Sequence, residues 1–262
     1  MAFAADRLQA MAGALRSLHL GPEPLLLANV WDAASARLVE EAGFPVVATS
    51  SAAIARSLGV EDGDAMGADL AFEALARVVG AVAVPVTADL ETGYGLAAPE
   101  LVERLLEAGA VGCNLEDSDH HGGDLLVDCD AQAERIAAVC ESARSAGVAV
   151  VVNARTDVYV RQVGEPKDRL REAVHRGQKY LLAGAACVYP IGVTAESEIA
   201  ALVEQMGGPV NVWLRSDAPP LATLRQLGVA RISMAAGLQR RGLAKVQEVI
   251  AQLRKGDDSG LR

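Results

Sequence analysis

An apolar run in the first half of the chain is followed directly by two acidic residues. Residues 81–88 form an apolar, valine-rich segment typical of a parallel strand, and Asp89 and Glu91 follow it directly. If the alternation of the strand continues to its end, the two carboxylates project on the same side and repel each other. A divalent cation such as Mg²⁺ can hold such a pair together. The pair therefore indicates either a metal-assisted site or two solvated acids at a strand end.

The positions of the other polar residues favour the metal-assisted site. Polar side chains also cluster at the ends of predicted strands elsewhere: Ser50 and Ser51, Glu116 and Asp117, Asn153, Arg155 and Asp157, and Asn211 within a later strand. In a barrel of parallel strands all the carboxyl ends open on one face, where active sites are built. Several acids, an arginine and small hydroxyls would then converge on one place.

Eight strand-like runs alternate with helical segments along the chain. The runs begin near residues 25, 46, 82, 111, 148, 186, 210 and 230. Five helices end in Ala-Gly or Leu-Gly before the next strand, with the glycine at 43, 109, 147, 184 and 228. Alternating β and α elements indicate a parallel sheet, and eight units favour a closed barrel over an open doubly wound sheet. We therefore predict an α/β fold, a (β/α)8 barrel of the TIM type.

Length and composition fit one domain over residues 1–262. The chain has 262 residues, of which 51% are hydrophobic, enough for one large core. An amphipathic helix over residues 6–18, within an N-terminal helical region of about 1–20, should cover one end of that core. A last helix over residues 237–253 is compatible with exchange between subunits, and residues 255–262 form a loose tail.

The charge balance argues against nucleic acid or a membrane as a partner. Twenty-four basic against 34 acidic residues give a net charge of −10, and no basic cluster is longer than residues 239–241. No apolar run approaches the length of a membrane span. The four cysteines are scattered without metal-binding spacing and favour reduced thiols. We therefore expect a cytoplasmic protein that acts on a small molecule.

Six short stretches, taken together, resemble the isocitrate lyase and phosphoenolpyruvate mutase superfamily. They occur in family order as residues 30–37 (VWDAASAR), 49–52 (TSSA), 57–62 (SLGVED), 89–95 (DLETGYG), 114–117 (NLED) and 153–157 (NARTD). The resemblance runs from about Leu25 to Met234. It implies a (β/α)8 barrel that binds Mg²⁺, with Mn²⁺ as the alternative, and a small 2-oxo acid or its enolate. It also implies a homo-oligomer, a dimer or often a homotetramer made of dimers that exchange a C-terminal helix.

The resemblance also implies roles for individual residues. Asp89 would ligate the metal directly and take part in substrate binding, and Asp62, Glu91 and Glu116 would hold the water ligands of the metal. Arg155 would pair with the substrate carboxylate or the enolate oxygen, which places it with Asp62 among the catalytic groups. The turn Ser50, Ser51 and Ala52 would offer backbone N–H groups and a hydroxyl to the other end of the substrate. Asn211 would either touch a distal carboxylate or tie two strand ends together.

One loop departs from the family pattern. The carbon–carbon lyases carry a K-[KR]-C-G-H loop after the fourth strand, whose cysteine acts as acid or base, whereas residues 118–126 here read SDHHGGDLL. His120 and His121 either supply the missing acid or base or are solvated surface groups.

These observations predict a Mg²⁺-dependent lyase or decarboxylase. Its substrate would be a small 2-oxo or 2-hydroxy di- or tricarboxylic acid, cleaved through a metal-stabilised enolate. One alternative is carbon–phosphorus chemistry of the phosphoenolpyruvate mutase or phosphonopyruvate hydrolase kind. Another is a catalytically silent binder of a 2-oxo acid such as 2-oxoglutarate.

Overall fold

The computed structural model describes residues 4–120, 122–123 and 125–261. Within these ranges the strand segments are β1 (Leu25–Leu27), β2 (Asn29–Val30), β3 (Val47–Thr49), β4 (Val86–Asp89), β5 (Gly112–Glu116), β6 (Val151–Thr156), β7 (Cys187–Pro190), β8 (Asn211–Trp213) and β9 (Arg231–Ser233). The helices there are α1 (Ala5–Leu18), α2 (Ala33–Glu41), α3 (Ser51–Leu58), α4 (Ala68–Val79), α5 (Ala98–Ala108), α6 (Cys129–Ser145), α7 (Arg169–Leu182), α8 (Glu196–Met206), α9 (Leu221–Gln226) and α10 (Gly237–Arg254), with short 3₁₀ turns at Pro166–Asp168 and Ser259–Leu261.

The strand segments close into a ring of eight parallel strands. β1 and β2 are two parts of one strand, interrupted at Ala28; β1 pairs with β9 and β2 pairs with β3. Parallel pairing then runs in chain order from β3 to β7. A bridge between Val188 and Val210 joins β7 to β8, and β8 pairs with β9. The predicted α/β barrel is confirmed.

The third predicted strand begins later than the sequence pattern indicates. The apolar run places its start near Val82, but β4 begins at Val86. The backbone N–H groups of Ala83 and Val84 donate to the Glu40 carboxylate instead, at 2.6 and 3.1 Å. Because Pro85 has no N–H group, the ladder starts only after it. The other strands begin within three residues of the predicted positions.

The glycine at each predicted helix-to-strand joint adopts a left-handed backbone conformation. The φ angles are +86°, +87°, +79°, +108° and +78° at residues 43, 109, 147, 184 and 228. This conformation ends the helix at its C-terminus. Glycine adopts it without a steric clash because it has no side chain. The recurrent Ala-Gly and Leu-Gly pairs therefore mark the helix ends correctly.

Helix α1 covers the amino-terminal ends of the strands. It buries Leu8, Ala12 and Leu15, and its Arg16 guanidinium donates to the carbonyl of Val150, just before β6 (3.3 Å). The predicted N-terminal covering helix is thus present. Because the strands are parallel, their carboxyl ends stay open on the opposite face.

Helix α10 lies largely on the surface of this chain. Its one buried residue among the described ones is Gln239, which donates to the Ala53 carbonyl (2.6 Å) and accepts from Arg56 (2.9 Å). Residues 255–261 beyond it are exposed. In the described part of the chain, no helix is both long enough and apolar enough to cross a membrane.

Candidate active site

A cavity of about 270 Å³ opens beside the carboxyl ends of β4, β5 and β6. Its walls are Ser51, Asp62, Gly63, Glu91, Glu116, His120, Arg155, Asp157, Val160 and Arg161. Six of the residues that the sequence predicts for a site, from five separate segments, therefore meet in one place. The walls carry four acids, two arginines, a histidine and a hydroxyl, which suits a small, charged ligand.

Asp89, at the end of β4, is held by neighbours on both sides. Its Oδ2 accepts hydrogen bonds from the backbone N–H and the hydroxyl of Ser51, both at 3.0 Å. Its Oδ1 accepts from Asn114 Nδ2 at 3.2 Å, and its own N–H donates to Thr49 Oγ1 at 2.9 Å. Asp89 thus lies next to the cavity wall with its carboxylate in a fixed orientation.

Glu91 reaches the cavity by a route that strand alternation does not predict. Strand β4 ends at Asp89, and Glu91 has a φ of +53°, so it belongs to the turn that follows. Its carboxylate accepts hydrogen bonds from the backbone N–H of Asp64 and from the Tyr94 hydroxyl. The expectation that Asp89 and Glu91 share a strand face is therefore wrong, although the turn still brings Glu91 to the same site.

Burial and nearby acids raise the pKa of the Glu91 carboxyl to about 8. The charges of Asp62, Asp89 and Asp64 add to the effect of burial, and the Asp64 N–H opposes it. Partial desolvation and the charge of Asp89 also raise the pKa of Asp62, which is exposed at the cavity rim. A cation bound among these carboxylates would relieve their repulsion.

Two contacts hold the acidic turn after β4 in place. Arg135, from α6, donates through Nη2 to the carbonyls of Thr92 (2.9 Å) and Leu96 (3.1 Å). A Cβ atom at Gly93 would clash with that same Nη2, and the φ of Gly93 is +97°. The Thr92 hydroxyl donates to Asp64, so the loop after α3 is fastened to the turn after β4.

Glu116, His120, Arg155 and Asp157 form a connected cluster in the cavity wall. His120 Nε2 lies 2.8 Å from one Glu116 carboxylate oxygen, and Arg155 Nη1 lies 2.5 Å from the other. Arg155 also makes a two-pronged pair with Asp157, at 2.6 and 2.8 Å. Burial raises the pKa of Glu116 against the effect of Arg155 and His120, and the hydrogen bond to Glu116 raises the pKa of His120.

A polar network inside the barrel supports the Asp89 carboxylate from below. Arg231, on β9, is fully buried and donates through Nη2 to Asn114 Oδ1 at 3.2 Å. Asn153 donates to the same oxygen at 2.8 Å, and Asn114 in turn donates to Asp89. The sequence alone does not identify Arg231 or the role of Asn114, because neither a lone arginine in an apolar strand nor a lone asparagine has a motif of its own.

The carboxylates fit a cation that keeps part of its water shell. Among the described residues, no three histidine, cysteine or acidic side chains are placed to hold one ion together. A cation here would therefore take one or two carboxylates and complete its shell with water, which is the usual way that proteins bind Mg²⁺. Asp62, Asp89, Glu91 and Glu116 supply the oxygen atoms for such a site.

The structure places three predicted site residues, Ser50, Ala52 and Asn211, outside the cavity wall. Ser50 is the N-cap of α3 and accepts from the Ala53 N–H (3.4 Å), so neither it nor Ala52 forms part of the cavity wall. Asn211 is buried in β8 and accepts from the Ser233 hydroxyl at 3.3 Å, which ties two strand ends together. His121 lies outside the described residues. Contact between Ser50, Ala52 or Asn211 and a substrate stays a prediction.

The chain shows clear similarity to known enzymes in sequence. A family model described as phosphoenolpyruvate phosphomutase matches residues 15–254. The 2-methylisocitrate lyase of Bacillus subtilis (strain 168) is 31% identical over 209 residues, which make up 76% of this chain. They cover 66% of that relative, slightly less than two thirds of its length.

Solved structures agree with the sequence comparison. A proposed phosphonomutase from Burkholderia cenocepacia J2315 is 39% identical with a TM-score of 0.86, covering 92% of this chain and 99% of its own. Phosphonopyruvate hydrolase in complex with oxalate and Mg²⁺ is 25% identical with a TM-score of 0.83, covering 95% of this chain and 89% of its own. The chain therefore belongs to the isocitrate lyase and phosphoenolpyruvate mutase superfamily of enzymes.

Proposed function

We propose that the chain is a Mg²⁺-dependent lyase or decarboxylase that acts on a small 2-oxo or 2-hydroxy di- or tricarboxylic acid. The observation that carries this proposal is the meeting of Asp62, Glu91, Glu116 and Arg155 in one small cavity next to Asp89. Similarity to 2-methylisocitrate lyase supports the reaction class. The oxalate and Mg²⁺ complex of phosphonopyruvate hydrolase supports the choice of metal, with Mn²⁺ as the alternative ion.

Each part of the cluster has a role in this proposal. Asp89, Asp62, Glu91 and Glu116 hold the ion and its water ligands. When bound, the cation supplies positive charge that stabilises the negative charge developing on the 2-oxo oxygen. Arg155 is oriented by Glu116 and Asp157, and two of its five N–H donors stay available for an anionic oxygen of the substrate.

His120 is the proposed acid or base that replaces the cysteine of the lyase loop. It lies on the loop after β5, forms part of the cavity wall and is oriented by its hydrogen bond to Glu116. A histidine can exchange a proton near neutral pH, and a proton must be returned to the carbon after bond cleavage. His121 stays a candidate for the same role from the sequence alone.

Carbon–phosphorus chemistry is the second candidate function. The solved structure with 39% identity to this chain is a proposed phosphonomutase, and phosphonopyruvate hydrolase shares the fold and 25% of the sequence. The same cation and Arg155 would serve a phosphonopyruvate-like substrate, because it is also a 2-oxo acid. A silent 2-oxo acid binder is the third candidate and would show binding without turnover.

Calorimetric titration of oxalate, oxaloacetate and phosphonopyruvate, with Mg²⁺ and with chelator, tests the proposal. We expect the protein to bind oxalate only with Mg²⁺ and to turn over oxaloacetate or a related dicarboxylic acid. Asp89→Asn should abolish Mg²⁺-dependent binding, because it removes a charge next to the cavity and turns one of the two acceptor oxygens into an N–H₂ donor that faces other donors. Asp69→Asn, at an acid whose side chain is 96% exposed in α4, is the matched control and should bind as the parent does.

The outcomes separate the candidates. Turnover confined to phosphonopyruvate would favour the second function, and Mg²⁺-dependent binding without any turnover would favour the silent binder. Equal binding by Asp89→Asn and the parent would contradict the metal site itself. We also propose that the protein is a homo-oligomer, while the single-domain organisation and the cytoplasmic location stay predictions.

A further inference from the structure

The cavity wall contains a second arginine, at a position that the sequence pattern does not single out. Arg161 lies beyond β6, in a turn where its backbone N–H donates to the Asp157 carbonyl at 2.8 Å. This bond sets its position relative to Asp157, which pairs with Arg155. Both Arg155 and Arg161 line the same cavity of about 270 Å³.

The two arginines differ in how far their charge is neutralised. Arg155 contacts two carboxylates, those of Glu116 and Asp157. Arg161 donates through Nε to the Ser118 hydroxyl (3.1 Å) and through Nη2 to His120 Nδ1 (3.1 Å), and neither acceptor is a carboxylate. Within the described ranges, no carboxylate lies within ion-pair distance of Arg161. Among the residues that the structure describes, no acid therefore balances the positive charge of Arg161 directly.

Arg161 also keeps hydrogen-bond donors for a ligand. A guanidinium has five N–H donors, and the contacts to Ser118 and His120 use two of them. Its Nη1 makes no hydrogen bond to any residue that the structure describes. Since hydrogen bonds from a guanidinium to a carboxylate or phosphonate are about twice as strong as those between neutral groups, an acidic ligand group would be preferred.

The size of the cavity limits the ligand that could reach Arg161. About 270 Å³ corresponds to roughly nine water molecules at about 30 Å³ each, so a ligand on the order of ten non-hydrogen atoms fits. A 2-oxo acid would place its first carboxylate at the cation held by the four acids and at Arg155. The cavity would then have space for a few further atoms of the ligand. Val160 forms an apolar part of the wall beside Arg161 and suits a short carbon chain.

We infer that Arg161 recognises the second acidic group of the substrate, at the end that lies away from the metal site. The inference rests on the proposed function, since it takes the proposed cation site and Arg155 as the site of the first carboxylate. It adds the residue that holds the second acidic group of the acids that the proposed function names. The second group is a carboxylate or a phosphonate, and both present the same anionic oxygens to the guanidinium.

The test compares pairs of ligands that differ only in the second acidic group. The full chain with Mg²⁺ would be titrated with oxaloacetate and 2-oxobutyrate, with 2-oxoglutarate and 2-oxopentanoate, and with phosphonopyruvate. We expect the parent to bind at least one diacid more tightly than its monoacid partner. In Arg161→Met this preference should fall by about tenfold or more, and Arg161→Lys should keep part of it.

Arg171→Met is the matched control, because it removes the same charge from a side chain that is 80% exposed on α7. It should keep the preference of the parent. An unchanged ratio of diacid to monoacid affinity in Arg161→Met would overturn the inference and leave the proposed function standing. Failure of the parent to bind oxalate or any 2-oxo acid with Mg²⁺ would overturn the proposed function and the inference with it.

Discussion

At the scale of single residues, the barrel interior holds a buried arginine that no acid pairs with among the described residues. Arg231 Nη1 lies 3.5 Å from Nε2 of His19, and the other ring nitrogen of His19 donates to the Leu15 carbonyl at 2.8 Å. His19 is 4% exposed. Burial, reinforced by the charge of Arg231, lowers the pKa of His19 to about 4. The imidazole is therefore neutral in the folded protein down to acidic pH.

This histidine should make the protein less stable in mild acid. Between about pH 6.5 and pH 4 the unfolded chain binds a proton at residue 19 and the folded chain does not, so the free energy of unfolding falls as the pH falls. The loss approaches about 3 kcal/mol at pH 4. His19→Gln should reduce the difference in unfolding free energy between pH 7.5 and pH 4.5, as measured by urea denaturation.

The control for this measurement is His175→Gln, at an exposed residue of α7. It should leave the pH dependence of the parent unchanged. Comparing the change between two pH values, rather than stability at one, separates titration from any lost packing. If His19→Gln kept the full pH dependence of the parent, acid sensitivity would have to come from other groups.

At the scale of elements, the sequence predicts the helix ends that a repeated local pattern marks. It does not predict strand starts and side-chain directions that depend on residues distant in the chain. The left-handed glycines, such as Gly43 and Gly109, mark helix ends because the requirement is local. The start of β4 differs from the predicted one because Glu40, some 43 residues earlier in the chain, captures the N–H group of Ala83. The direction of Glu91 differs for a similar reason, since the Asp64 loop helps to set it.

Helix α7 packs so closely against its neighbours that one glycine has no room for a side chain. A Cβ atom at Gly177 would clash with Met206 Sδ and lie 2.9 Å from Val188 Cγ1. Gly177→Ala should therefore destabilise the protein by about 1–3 kcal/mol, in spite of the better helix propensity of alanine. Urea denaturation of the variant measures this loss.

Gly13→Ala in α1 is the matched control, because a Cβ atom at that exposed position has no neighbour within 4 Å. That substitution should stabilise the protein by about 0.5–1 kcal/mol. Opposite signs for the two alanines would support close packing between α7, β7 and α8. Stabilisation by both would show that Met206 moves aside without cost.

At the scale of the whole molecule, the barrel explains why part of the site is predictable from the sequence. Parallel strands bring their carboxyl ends to one face, so the strand pattern alone groups the acids after β4 and β5 with Arg155 in β6. It does not group Arg161 and Arg231 with them, because one lies in a turn and the other in an apolar strand. The role of each arginine depends on the side chains that the fold brings into contact with it.

The apolar side of α10 is a candidate contact between subunits. Leu243, Val246, Ile250 and Leu253 recur at helical spacing and are 49, 53, 60 and 43% exposed. An amphipathic helix normally buries such a stripe against another element, and a second copy of the chain is the partner that the family resemblance implies. We therefore expect the protein to sediment as a dimer or a larger homo-oligomer.

Charges placed within this stripe should weaken the assembly. Val246→Glu combined with Ile250→Glu would bring two acids into the contact, where their desolvation is costly, so the sedimentation coefficient should fall towards that of the monomer. Ala251→Glu, at an exposed position about 120° around the helix from the centre of this stripe, should leave the assembly intact. A monomeric parent, or a double variant that sediments as the parent does, would show that α10 does not form the contact. Loss of assembly in the double variant alone would place the subunit interface on this helix.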